Sequence, residues 1–459
     1  MIVLQDIQRA YFVGIGGIGM SALARYLQRM GIVVAGYDKT ESALTRQLVT
    51  EGIPVIYTDD FSAIPSEFVQ EDTLVVYTPA VPADTEVLTQ FRESGNNIIK
   101  RAALLGVISQ SIPTIAIAGT HGKTTTTAIL AHILETAGVA HTSIVGGILT
   151  GYNTNLIGTG TEVLVTEADE YDRSFLQLHP DAVGVTSISP DHLDIYDNEE
   201  DFKASFVEFA SKVEPSNRVL AAGVSLEGQT IGFEPNDDVF ISHLQVVDGA
   251  YHFGLVASEY HAPELVLHLP GHHNLMNAAM ASALAMQFGV GADYVRAALE
   301  NFRGIDRRFT YRAREEDYVI IDDYAHHPDE IDAVHQAITE FFPGQKSVVV
   351  FQPHLYTRTR DFMEGFARSL AAFDEVYLLD IYPARELSIE GVTSQVLARR
   401  IAEVRQMQEH EIDKPAPRVI EKHHVSRVIY RSDAPVRLLL GAGDIGVIAA
   451  TLEGGVYGT

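Results

Sequence analysis

The stretch IAIAGTHGKTTTT, Ile115–Thr127, constrains the chain more than any other. An apolar run of strand character enters a loop with glycines at Gly119 and Gly122. Lys123 and a row of hydroxyls then open a helical period carrying Ile129, Ile133 and Ala137. Strand, tight loop and helix in that order are the repeating unit of a layered α/β fold. Glycines let backbone N–H groups approach an anion, a lysine ammonium neutralises the β/γ oxygens of ATP, and a threonine hydroxyl can ligate Mg²⁺. Gly119, Thr120, His121, Gly122, Lys123, Thr124 and Thr125 are therefore candidate ATP contacts. The loop is shorter than the common G-x-x-x-x-G-K, which would need glycine at Ile117.

A related unit opens the chain. The apolar Tyr11–Val13 leads into GIGGIG, with Gly14, Gly16, Gly17 and Gly19. A helix marked by Leu23, Leu27 and Met30 follows, and a second run, Ile32–Ala35, precedes Asp38. Such a loop reads as a diphosphate cradle at a helix N-terminus, with Asp38 at the spacing of a dinucleotide fingerprint. A plain strand-to-helix turn and an NAD-dependent oxidoreductase are the alternatives. A second match, GAGDIG at Gly441–Gly446, shows how readily the pattern arises.

The alternation restarts after Ser109–Pro113. Strand-like Val163–Asp169 and Asp181–Ser189 end in polar clusters, where ligands gather in parallel sheets. From Val239 to Leu269 the alternation weakens, predicting an antiparallel edge or a small subsidiary sheet. A basic knot (Arg303, Arg307, Arg308, Arg312, Arg314) then precedes YVIIDDY. Next come SVVVF, a helix bearing Phe362, Phe366, Leu370 and Phe373, then EVYLL and RLLLGAGDIG. The expected fold is α/β in three domains. These are a Rossmann-like N-terminal domain (1–106), a central P-loop ATPase-type domain (107–303) and a C-terminal Rossmann-like domain (304–459).

The length of 459 residues suits about three domains. With 33 Lys+Arg against 61 Asp+Glu, the net charge of −28 repels polyanions, so no nucleic-acid partner is expected. The lack of cysteine excludes disulfides, Cys-type zinc sites and thiol nucleophiles, and it suits the reducing cytoplasm. No apolar run is long enough for membrane insertion, and the first residues lack a basic-then-apolar leader pattern.

Beyond the glycine loops, Glu167 in TEADEYD and His192 in SPDHLD end strands expected to flank the Ile115 strand, and they suit metal or substrate contact. HEIDK, His410–Lys414, lacks the second histidine of a zinc helix. Arg358 and Arg360, beside a Pro-His turn, suit a carboxylate or phosphate clamp, with surface ion pairs as the alternative.

Taken in order, GIGGIGMSALA, GTHGKTTTT, EADEYD, DHLD, HHNLMNAA, RRF, DDYAHHP and QPHLYTRTRD resemble the Mur ligases across nearly the whole chain. The resemblance implies domains for a UDP-sugar, ATP and an amino acid. Its implied activity is ATP-dependent joining of L-alanine to the lactyl carboxylate of UDP-N-acetylmuramate, by a monomer or homodimer. A recycling ligase that attaches a tripeptide to the same sugar nucleotide is the alternative. By the same resemblance, Lys123 and Thr124 hold triphosphate and Mg²⁺, and Glu167 and His192 serve the metal site. Asn274 and Asn277 line the ATP site, while Arg308 and Asp323 reach phosphate and ribose. Tyr324, His326 and Arg358 surround the amino acid. Arg360 joins Arg358 as a candidate for its carboxylate, and His326, as the titratable group in DDYAHHP, is the candidate general base for its amine. The loop Gly14–Gly19 with Asp38 would grip the UDP diphosphate rather than NAD. Three departures stand out. Leu355 follows His354 where many such ligases have arginine, Ala325 replaces the glycine of DDYGHHP, and no lysine matches the carbamylated bridge of sibling ligases, Lys203 being near but wrongly spaced.

Overall fold

The computed structural model describes residues 3–189, 196, 198–384, 386–407 and 414–452. Three sheets organise them. The first is parallel, in the order Val55–Ile56, Val33–Tyr37, Arg9–Val13, Leu74–Tyr77, Asn97–Lys100. Strand order reverses on either side of Arg9–Val13, so the switch-point crevice lies at the C-terminal end of that strand, where Gly14–Gly19 begins.

Ten strands form the second sheet. At its centre Thr114–Ala118 is buried at every position between its parallel neighbours Ala182–Val185 and Val163–Ala168, which is why it reads as an unbroken apolar run. Val239–Val247, Ala250–Ala257 and His261–Leu267 complete one edge in sequence order. Asp248 and Gly249, both left-handed (φ 50° and 72°), turn the first of these back into the second as a hairpin. The weakly alternating region thus extends the central sheet instead of building a separate one.

The third sheet runs Thr310–Arg314, Val319–Asp323, Val436–Leu440, Ser347–Phe351, Glu375–Leu378, Arg418–Val419, with only the first pair antiparallel. The helix expected from Phe362 to Phe373 forms as Met363–Ala371, with Phe362 as its N-cap. Tyr356–Asp361 and Met363–Ala371 are separate helices, and Phe362 (φ −109°, ψ 20°) is their exposed joint.

These elements fall into two compact units, Met1–Leu244, His252–Val266 and Met276–Arg303 in one, Gln245–Tyr251, Leu267–Leu275 and Gly304–Thr459 in the other. In the first unit two sheets share a core. Leu23 and Leu27 of helix Ile18–Arg29 cluster with Ile144, Leu156 and Leu164. Beside that core, buried Asn155 accepts from Arg25 Nη1 and donates to Ser21 Oγ (3.0 Å) and Ile18 O, while Glu51 takes the other face of Arg25 (2.6 Å). The polar break at Ser109–Pro113 therefore joins two sheets within one unit.

Candidate active site

Gly119 and Gly122 carry φ of 132° and 84°. A Cβ on Gly119 would overlap Thr186 and lie 2.8 Å from Ser187 N, and one on Gly122 would overlap Asn277 Oδ1, so only glycine fits either position. The loop between them is propped on the segment after Ala182–Val185. Thr120 N donates to Ser187 O (3.1 Å), His121 N to Ser187 Oγ (3.0 Å) and Thr120 Oγ1 to Ser189 O (2.8 Å). With those amides engaged, the anion donors are the first-turn N–H groups of helix Lys123–Thr136, which have no acceptor within the helix.

Lys123 Nζ sits across this loop. It donates to Gly119 O (2.5 Å) and to both carboxylate oxygens of Glu170 (2.9 and 2.7 Å). One residue on, Thr124 Oγ1 donates to Glu167 Oε2 (3.0 Å), whose Oε1 accepts from Gly146 N (2.6 Å). Burial pushes both carboxyls upward. The Gly146 amide, Lys123 and Thr124 oppose the rise at Glu167, and Lys123 opposes it at Glu170. A hydroxyl and a carboxylate converging at a helix start are hard oxygen donors, and they fit Mg²⁺ arriving on nucleotide phosphates, which needs only one or two protein ligands. Among the described residues no three His, Cys, Asp or Glu side chains gather as a protein-only cage. His192 lies outside the described residues.

The first glycine loop spends most of its amides on itself. Gly14 N and Ile15 N donate to Tyr37 O (2.8 and 3.0 Å), Gly17 N to Gly14 O (3.2 Å) and Gly16 N to Asp38 Oδ2 (2.8 Å). Asp38 is thus a staple of the loop. The donors left for an anion are those of the helix start, Ile18 to Met20. Arg101 covers that start, its Cδ 3.4 Å from where a Cβ on Gly19 would stand, and it pairs with Asp169 at 2.9 Å. No motif marks Arg101. Only the arrival of Asn97–Lys100 beside Leu74–Tyr77 brings it there.

In the second unit, DDYAHHP joins strand Val319–Asp323 to helix Pro328–Phe341, whose first turn is closed by a capping box between His327 and Glu330. Asp323 accepts from Phe309 N (2.6 Å) and Ala325 N (2.7 Å), and burial raises its carboxyl to about 6 against the pull of Arg308 and those amides. His326 Nδ1 lies 3.0 Å from Tyr324 O. A carbonyl only accepts, so Nδ1 carries the proton and Nε2 keeps its lone pair. Burial, with Arg358 and Arg308 nearby, lowers the pKa of His326 although Glu330 opposes. His354, its ring 6.1 Å from that of His326 and stacked on Tyr382, is driven down to about 4, mainly by burial, and stands 3.4 Å from Arg358 Nη1. Arg308 lies over the Tyr324 ring at 5.5 Å. A neutral imidazole beside guanidinium groups can accept a proton from an amine held there.

Three family models match the chain in succession: "Mur ligase family, catalytic domain" at residues 9–112, "Mur ligase middle domain" at 117–285 and "Mur ligase, glutamate ligase domain" at 307–430. The UDP-N-acetylmuramate–L-alanine ligase of Flavobacterium johnsoniae is 48% identical over 98% of both chains. The chain belongs to the Mur ligase family. The Porphyromonas gingivalis protein of the same name is 42% identical over 95% of this chain and 96% of its own. The crystal structure of UDP-N-acetylmuramate-alanine ligase from Thermotoga maritima superposes with a TM-score of 0.81 at 29% identity, covering 96% of this chain and 97% of that one.

In this Mur ligase the residues expected at the site are brought together unevenly. Lys123, Thr124 and Glu167 converge as expected, and Asn277 packs on Gly122. Asn274 instead donates to Pro270 O (2.7 Å) at the start of its own helix. Tyr324, His326 and Arg358 share one cluster, but Arg360, 53% exposed, turns to Asp361 (2.7 Å). Leu355 holds φ 72°, a strained conformation for a branched residue, one residue after His354. Ala325 needs no positive φ, so its replacement of glycine is free of strain. Lys203 is a surface partner of Glu199 (2.6 Å). The second G-x-G-x-x-G is filled by the protein itself. Arg307 donates to Gly441 O and Gly443 O, and Gln352 accepts from Ile445 N (3.0 Å). Glu170, His354 and Arg101 are the neighbours that sequence reasoning missed.

Proposed function

We infer that this Mur ligase is an ATP-dependent amide-bond-forming enzyme joining L-alanine to the lactyl carboxylate of UDP-N-acetylmuramate in peptidoglycan precursor synthesis. The observation that carries the reaction type is the Lys123–Thr124 helix start facing Glu167, and the substrates follow the names of relatives matched over nearly their full length.

A carboxylate is a poor electrophile and must be activated. The γ-phosphoryl group of ATP passes to the lactyl carboxylate, giving an acyl phosphate and ADP. The L-alanine amine then attacks the acyl carbon, and the tetrahedral intermediate expels phosphate as the amine proton leaves. Lys123 and the N–H groups of its helix hold the phosphate charge in place. Thr124 and Glu167, with His192, would hold Mg²⁺, which supplies charge neutralisation on the phosphates when bound. Asn277, Arg308 and Asp323 serve the nucleotide, and the helix start at Ile18–Met20 takes the UDP diphosphate. Tyr324 and Arg358 orient the amino acid, and His326 Nε2 takes the amine proton. The enzyme works in the cytoplasm.

ATP-dependent phosphate release should require both UDP-N-acetylmuramate and L-alanine. Release with the tripeptide but not with L-alanine would select the recycling reaction instead. His326→Gln should erase the acid limb of the pH–rate profile, a limb that lies below the ordinary histidine range because the pKa of His326 is lowered. An unchanged profile removes His326 from the base role.

A further inference from the structure

Glu170 has no place in the reaction described above, yet it makes the closest ionic contact in the nucleotide loop. Its side chain is 2% exposed and that of Lys123 15%. An unusual turn delivers it there. Asp172 and Arg173 both take left-handed backbone (φ 53° and 50°), Arg173 N donates to Glu170 O (3.0 Å), and Tyr196 Oη donates to the same carbonyl (2.6 Å). The backbone that carries the carboxylate is therefore anchored, and the buried side chain lies against Lys123.

An ammonium has three protons. Those of Lys123 are met by Gly119 O and the two Glu170 oxygens. Nucleotide phosphates arriving at the helix start can use Lys123 only by displacing one of these acceptors, of which Glu170 alone is charged, and they bring further negative charge towards a buried carboxylate. We propose that Glu170 is the internal counter-ion of the nucleotide site, a positioning residue that competes with the β- and γ-phosphates for Lys123 and so weakens nucleotide binding. This rests on the reading of Gly119–Thr125 as the ATP loop. The competition acts on ADP as on ATP, so Glu170 also favours release of the product nucleotide. AMP, which lacks the phosphates that Lys123 would meet, is unaffected.

Isothermal titration of the full chain with ADP and with AMP, in the presence of Mg²⁺, tests this. Glu170→Gln keeps the shape and one acceptor but removes the charge. ADP should bind about tenfold more tightly, the change expected for losing one partly screened charge near the phosphates, with AMP unchanged. A residue that merely supported the loop would weaken ADP on substitution. Unchanged or weaker ADP binding by a folded Glu170→Gln protein overturns the proposal. If that variant melts early, Glu170→Asp, which withdraws the carboxylate by one methylene, must also tighten ADP, and a loss there is equally fatal. The double variant Lys123→Ala/Glu170→Gln leaves no unpaired buried charge. If it binds ADP as tightly as Glu170→Gln alone, the loop is not the phosphate site, and the underlying reading fails rather than the counter-ion step alone.

Discussion

Lys123 and Glu170 illustrate how a single contact changes what a substitution means. Read from the motif, Lys123→Ala removes ligation and leaves the fold intact. The buried pair alters that expectation, because removing the ammonium strands a buried carboxylate. Lys123→Ala should therefore abolish ATP-dependent phosphate release and also lower stability in urea unfolding, by on the order of 3 kcal/mol. Adding Glu170→Gln should restore most of the stability and none of the activity. Asp323 carries a pH signature of its own. Its carboxyl is raised to about 6, above the unfolded value. Between the two values the folded chain holds a proton that the unfolded chain has lost, so this residue's contribution to stability is full at low pH and lost as pH rises through about 6. Urea midpoints measured across that range should fall less steeply with rising pH in Asp323→Asn than in the parent. Parallel slopes would refute this assignment.

Among the elements, the two glycine loops look alike in sequence and differ in construction. Gly17 has an ordinary φ of −66°, and the nearest atom to a Cβ there is 3.5 Å away. At Gly16 a Cβ would stand 2.7 Å from Asp38 Oδ2, and at Gly119 it meets the backbone of Ser187. Gly17→Ala should keep the parent melting temperature, Gly16→Ala should lower it by expelling Asp38, and Gly119→Ala should lower it most, because backbone cannot yield. A melting-temperature series checks the order. The strand–loop–helix units were legible because fully buried parallel strands must be apolar throughout, as Thr114–Ala118 is. The short helix Tyr356–Asp361 was not, because a phenylalanine period that starts at Phe362 does not report what precedes it. The edge strands after Val239 were only half legible. Their weak alternation marked an edge, and the Asp248–Gly249 turn decided which sheet received it.

On the scale of the whole molecule, the net charge of −28 excluded polyanions but misjudged the local potential, since Lys123, Arg101, Arg308 and Arg358 are few and stand at the sites. The first unit is more tightly joined than its polar break implies. Asn155 is fully buried and ties Arg25 to the start of helix Ile18–Arg29. Asn155→Leu should cost about 2–3 kcal/mol by leaving these groups unpaired, and calorimetry should show the first unit's transition broaden or split. Retention of one sharp transition at the parent temperature would show that the shared apolar core alone joins the two sheets. By itself the sequence determined the α/β class, the glycine loops and the candidate site groups Lys123, Thr124 and Glu167, because strand burial, phosphate binding and metal ligation each demand particular residue types at short spacing. Only the tertiary structure decided the partners of those groups. Glu170 folds back onto Lys123 through a left-handed turn, Arg101 reaches the first helix from a neighbouring strand, and Arg307 fills the second glycine loop. Such long-range pairings depend on where sheets and turns bring the backbone, and local spacing does not encode that.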